Sequence, residues 1–176
     1  MSTSFKPSLR LVGLHGFLIG RLGRYFSAGW FPYKGNWGRR HQYWLVSEYT
    51  KRFGDDPYIV VGFSDGATLA HEVGAIDERC QGVIAHSGMF REPTQCRHIP
   101  VLLLRTCGDL TPTFEATAKA AEWYGRHGVA TRPVTLSRHT AIGHEFANGL
   151  LTMNQWSVDH FGLQLPIRDK HLTVSA

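Results

Sequence analysis

Residues 57–70 read PYIVVGFSDGATLA: a run of β-branched and aromatic side chains, a serine set between two glycines, then helix formers. The first part has the make-up of a buried strand and the last part that of a helix. Between them the chain turns within Gly62-Phe63-Ser64-Asp65-Gly66. So sharp a turn drives its central residue into strained backbone angles and presses helix onto strand, so the positions two before and two after it must lack bulk. Gly62 and Gly66 meet that need. Two readings follow. Ser64 is either the polar residue of an ordinary strand-to-helix turn, or a hydroxyl held at the rim of a sheet with the positive end of a helix behind it.

Working outward, short apolar runs alternate with amphipathic segments along the whole chain. Strands are expected at 9–14, 25–31, 58–61, 82–86, 101–105 and 131–136. Helices are expected at 37–52, 67–73, 113–127 (stopped by Gly128) and 145–161. Strands that alternate with helices imply parallel pairing with right-handed crossovers. The predicted fold is therefore α/β, a three-layer α/β/α sandwich on a mostly parallel sheet of about six strands. In such sheets ligands bind beyond the carboxyl ends of the strands, so the residues just after each strand become the candidates.

The 176 residues, 43% hydrophobic and 19% charged, suit one domain spanning 1–176, with a polar, flexible tail over 166–176. No stretch reaches the length of a membrane span, and the first residues have no apolar run resembling a secretory signal, so a cytoplasmic location is expected. Cys80, Cys96 and Cys107 make an odd set without metal-ligand spacing, which argues for reduced thiols and no structural metal. The net charge of +5 comes from scattered basic residues, the densest being Arg21, Arg24, Lys34, Arg39 and Arg40, so a solvated basic face is expected and no nucleic acid.

After the first strand stands His15-Gly16-Phe17; after the third, Ser64; after the fifth, Gly108-Asp109; after the last, Gly143-His144. Nucleophile, acid and histidine in that order, together with GFSDG, resemble the α/β-hydrolase superfamily. The resemblance runs from about residue 9 to 161. It is to compact, lidless members similar to small carboxylesterases and dienelactone-hydrolase-like proteins, for no insertion is long enough to form a cap. It implies a Ser64–His144–Asp109 triad, with His139 in the same loop as the other candidate base. Asp109 has a second reading as the cap of the helix near Pro112, although Thr111 could fill that role. His86 and His71 are read as structural. The amides of Phe17 and Asp65 would form an oxyanion hole, His15 would orient its loop, and the Asp65 side chain would point away.

Met89 and Phe90 are candidate substrate contacts, as are Trp30, Phe31, Tyr33 and Trp37, though core packing accounts for any one of these aromatics equally well. The implied activity is cofactor-free and metal-free hydrolysis of a small carboxylic ester or thioester through an acyl-enzyme. An amidase or peptidase on the same triad stays open, as does a non-catalytic binding or assembly module with a basic face.

Overall fold

The computed structural model describes residues 10–15, 30–32, 51, 55–107, 109, 111–136 and 149–167. Strands β1 (Arg10–His15), β2 (Trp30–Pro32), β3 (Tyr58–Phe63), β4 (Cys80–His86), β5 (Val101–Thr106) and β6 (Thr131–Leu136) form one sheet in the order β2-β1-β3-β4-β5-β6. Every neighbouring pair is parallel. Helices α1 (Asp65–Ile76), α2 (Thr111–Arg126) and α3 (Leu150–Phe161) connect and cover it. Of the helix expected at 37–52 only residue 51 is among the described residues, and 145–148 of the last helix lie outside them.

Side chains alternate across the sheet with period two. Tyr58 and Val60 of β3 and Val101 and Leu103 of β5 face α1 and α2, where they meet Leu69, Val73, Trp123 and Tyr124. Ile59, Val61 and Phe63, with Leu102 and Leu104, face α3 and pack on Leu150, Met153 and Trp156. The result is the three-layer arrangement expected of strands buried on both faces. Leu165 and Ile167 join the second cluster, so the chain is held in the core to residue 167, just inside the stretch read as a tail.

Of the second strand, expected at 25–31, residues 25–29 lie outside the described residues; the described part is Trp30–Pro32, one residue beyond the expected end, with Pro32 opposite His15. A proline offers no ladder N–H, and only an edge strand tolerates that. β2 is one edge of the sheet, and β6, which carries Pro133, is the other.

At the end of the sheet where β3 and β4 begin, the Tyr58 hydroxyl donates to Asp77 at 2.7 Å, and Arg79 forms an ion pair with the same carboxylate. Burial opposes ionisation of Asp77, but the hydrogen bonds from Arg79 and Tyr58 outweigh it and hold the carboxyl below its usual value. Arg97 donates to the carbonyls of Gly74, Asp77, Glu78 and Cys80, serving acceptors that the end of α1 cannot satisfy internally. These contacts brace the rim remote from Ser64.

His71 of α1 is buried, with Nδ1 3.0 Å from the Tyr124 hydroxyl and the Phe90 ring edge-on at 5.1 Å. Burial lowers its pKa to about 4, against an ordinary value near 6.5. Between those pH values the unfolded chain takes up a proton that the folded chain refuses. The contribution to stability is therefore complete above pH 6.5 and is lost as pH falls toward 4. It amounts to about 3 kcal/mol. Urea unfolding at pH 7 and pH 4 is expected to show wild-type protein losing about that much more stability than His71→Gln; equal losses would assign the acid sensitivity elsewhere.

Candidate active site

Strand order places a switch point between β1 and β3: from β1 the chain moves outward to β2, then returns to the other side as β3. The carboxyl ends of these strands, His15 and Phe63, are in register. A crevice at such a point is where open α/β sheets receive ligands, and Ser64 is the next residue after Phe63.

Ser64 has φ 57° and ψ −126°, one of two described non-glycine residues with positive φ. Angles of that kind cost about 1–3 kcal/mol and persist only where the surroundings hold them. Two neighbours do so. The Ser64 N–H donates to the His86 carbonyl at 3.0 Å, which continues the β3–β4 ladder past the strand end, and the Ser64 carbonyl accepts the Ala67 N–H at 2.9 Å. The glycine at 62 is required by contact, for a Cβ there would lie 2.2 Å from the Gly66 carbonyl oxygen and 2.6 Å from the Ala67 Cα.

Ser64 occupies the N-cap position of α1, yet its side chain makes no capping hydrogen bond. A serine kept for the turn alone would be expected to cap. This hydroxyl instead stands half-buried at the mouth of the sheet. Asp65 opens α1 with its side chain exposed, and its N–H belongs to the first-turn amides that lack partners within the helix.

On the far side of β4, Asp109 follows β5 and is half-buried. Its Oδ2 accepts the Thr106 N–H at 2.7 Å and the Ser87 hydroxyl at 2.5 Å, while its own N–H donates to the Thr106 carbonyl at 2.9 Å. The carboxylate thus closes a tight turn at the end of β5. Both Oδ2 contacts run back to the ends of β4 and β5. Ser64 and Asp109 are therefore gathered around the same two residues, His86 and Ser87. Sequence reading missed Ser87 because no motif marks it; its only signal is its place directly after a strand.

His86 is fully buried, with Nε2 3.4 Å from the Thr106 hydroxyl and its ring 5.2 Å from that of Phe63. Phe90 sits among His71, Trp123 and Tyr124, whereas Met89 is 46% exposed and its carbonyl accepts the Thr68 hydroxyl at 2.7 Å. Of the two, Met89 is the side chain open to a bound molecule. The backbone of His15 ends β1. Phe17, Tyr33, Trp37, His139 and His144 lie outside the described residues. Among the described residues no group of three or more His, Cys, Asp or Glu is placed to hold a metal, and no helix is long and apolar enough to cross a membrane. The three thiols are free, and burial pushes that of Cys80 up to about 12.

No family model and no curated protein matches the sequence. Solved structures do match the fold. SOBER1 of Arabidopsis thaliana aligns over 88% of this chain and 99% of its own with a TM-score of 0.59 at 15% identity. A phospholipase/carboxylesterase from Dyadobacter fermentans aligns over 84% and 91% with a TM-score of 0.55 at 16% identity. MGS-M1, an alpha/beta hydrolase enzyme from a Medee basin deep-sea metagenome library, aligns over 90% and 86% with a TM-score of 0.59 at 13% identity. The chain has the α/β-hydrolase fold.

Proposed function

We propose that this protein is a serine hydrolase that cleaves a small carboxylic ester or thioester through an acyl-enzyme. The observation that carries the reading is Ser64 itself, a serine held at positive φ after the strand beside the switch point, with a hydroxyl that declines the helix-capping role open to it. Solved structures of the same fold include an esterase and a phospholipase/carboxylesterase, which favours ester over amide chemistry.

In this mechanism the Ser64 hydroxyl attacks the carbonyl carbon as His144 takes its proton, and Asp109 holds the imidazole in the productive tautomer and offsets its charge. The oxyanion is met by the amides of Phe17 and Asp65, each such donor contributing about 3 kcal/mol in enzymes of this kind. Collapse of the tetrahedral species expels the alcohol or thiol, which receives the proton from His144. Water, activated by the same histidine, then releases the acid and restores Ser64. Met89 is the side chain assigned to the acyl or leaving group.

The direct test is a fluorophosphonate, which bonds to an activated serine and spares an ordinary one. One equivalent is expected on the peptide carrying Ser64, with loss of p-nitrophenyl butyrate turnover in step. A protein that takes up no label and turns over no ester would overturn the reading and favour a binding module on the same fold.

A further inference from the structure

We infer that Ser87 is a positioning residue that sets the acid against the nucleophile, an inference resting on the serine-hydrolase reading above. Ser87 follows β4 with φ 52°, a positive value, like that of Ser64, that penalises a residue carrying a side chain. A glycine would adopt it freely, so the serine must contribute through its hydroxyl. That hydroxyl is buried and donates to Asp109 Oδ2 at 2.5 Å. With the Thr106 N–H on the same oxygen at 2.7 Å, the rotation of the carboxylate is set, and with it the direction in which Oδ1 points.

The backbone around Ser87 ties this acid to the nucleophile turn. Its N–H donates to the Leu104 carbonyl at 2.8 Å, and the preceding carbonyl, that of His86, accepts the Ser64 N–H. The following residue, Gly88, runs against the turn from beneath, where a Cβ would lie 2.4 Å from the Ala67 Cβ and 2.5 Å from the Ser64 carbonyl oxygen. Residues 86–88 therefore touch the nucleophile turn twice and the acid once. A displacement of the Ser64 turn is felt at Asp109 through three consecutive residues.

The test compares Ser87→Ala and Ser87→Gly with wild-type protein. Glycine removes the hydroxyl while fitting the left-handed backbone best, so it separates chemistry from folding. For both variants kcat on p-nitrophenyl butyrate is expected to fall about 10- to 100-fold, the range for loss of a hydrogen bond to a charged group, with KM within about twofold. The rate of fluorophosphonate labelling should fall in the same ratio, and Ser87→Gly should melt no lower than Ser87→Ala. If both variants keep kcat within about twofold of wild type, Ser87 has no positioning role, while the serine-hydrolase reading stands. If both lose activity only as far as they unfold, the role is structural and the inference fails. Wild-type protein that neither takes the label nor turns over ester overturns both.

Discussion

Ser64→Ala is expected to lower ester turnover by roughly a million-fold, the scale observed when a triad serine is removed. In the proposed mechanism alanine could neither form the acyl-enzyme nor draw on His144 as base, so what survives would be the contribution of substrate binding and the proposed oxyanion donors, about 10³–10⁴ over water. Stability should not move with it. Alanine keeps the Cβ, so the strain at φ 57° is the same in both proteins, and the hydroxyl caps no helix amide whose loss would count against the variant. The melting temperature is therefore expected to stay within a few degrees of wild type. Turnover of p-nitrophenyl butyrate, thermal melting and fluorophosphonate uptake measured on one preparation would check this. A variant that hydrolyses the ester at the wild-type rate would remove Ser64 from the chemistry and leave the strained turn without a catalytic purpose.

Much of this fold was legible because it is written in local patterns. The buried strand, expected at 58–61 and found at Tyr58–Phe63, and the stop at Gly128 depend on residue types close in sequence, and the turn at 62–66 depends on the absence of a Cβ at Gly62, which would meet the Gly66 carbonyl only four residues away. β6 was expected at the bounds at which it is found. Features that depend on distant partners were not legible. That the second strand runs on to Pro32 is set by its pairing with β1. Ile167 is buried by residues of β3, β5 and α3 that are remote from it in sequence. The polar surroundings of Ser64 illustrate the same limit: GFSDG signals the turn, but that the serine leaves its helix uncapped is a matter of side-chain torsion. The contact of Ser87 with Asp109 spans 22 residues and follows from β4 lying beside β5. His144 and Phe17, on which the base and one oxyanion donor depend, lie outside the described residues and stay expectations of the resemblance.

Asp109→Asn should cost about 10⁴-fold in kcat, the figure for this exchange in a serine triad, and the geometry around Oδ2 supplies a specific reason. The Ser87 hydroxyl and the Thr106 N–H both donate to that one oxygen. An asparagine here is expected to keep its carbonyl oxygen on that side, since an amide NH₂ there would face the Thr106 N–H, which can only donate. Its NH₂ is then forced to the position of Oδ1, where the proposed mechanism needs an acceptor for the imidazole N–H of His144. Offered a donor, the imidazole takes the opposite tautomer, with the proton on the nitrogen that should receive one from Ser64. The site would be intact in shape and unable to start the reaction. KM and melting temperature should change little, because the contacts at the Oδ2 position survive, while turnover and fluorophosphonate labelling fall together. The competing role, a cap for α2, predicts the reverse, for asparagine caps a helix as well as aspartate and would leave kcat untouched. Full activity in Asp109→Asn would therefore return this residue to a structural role and require another acid.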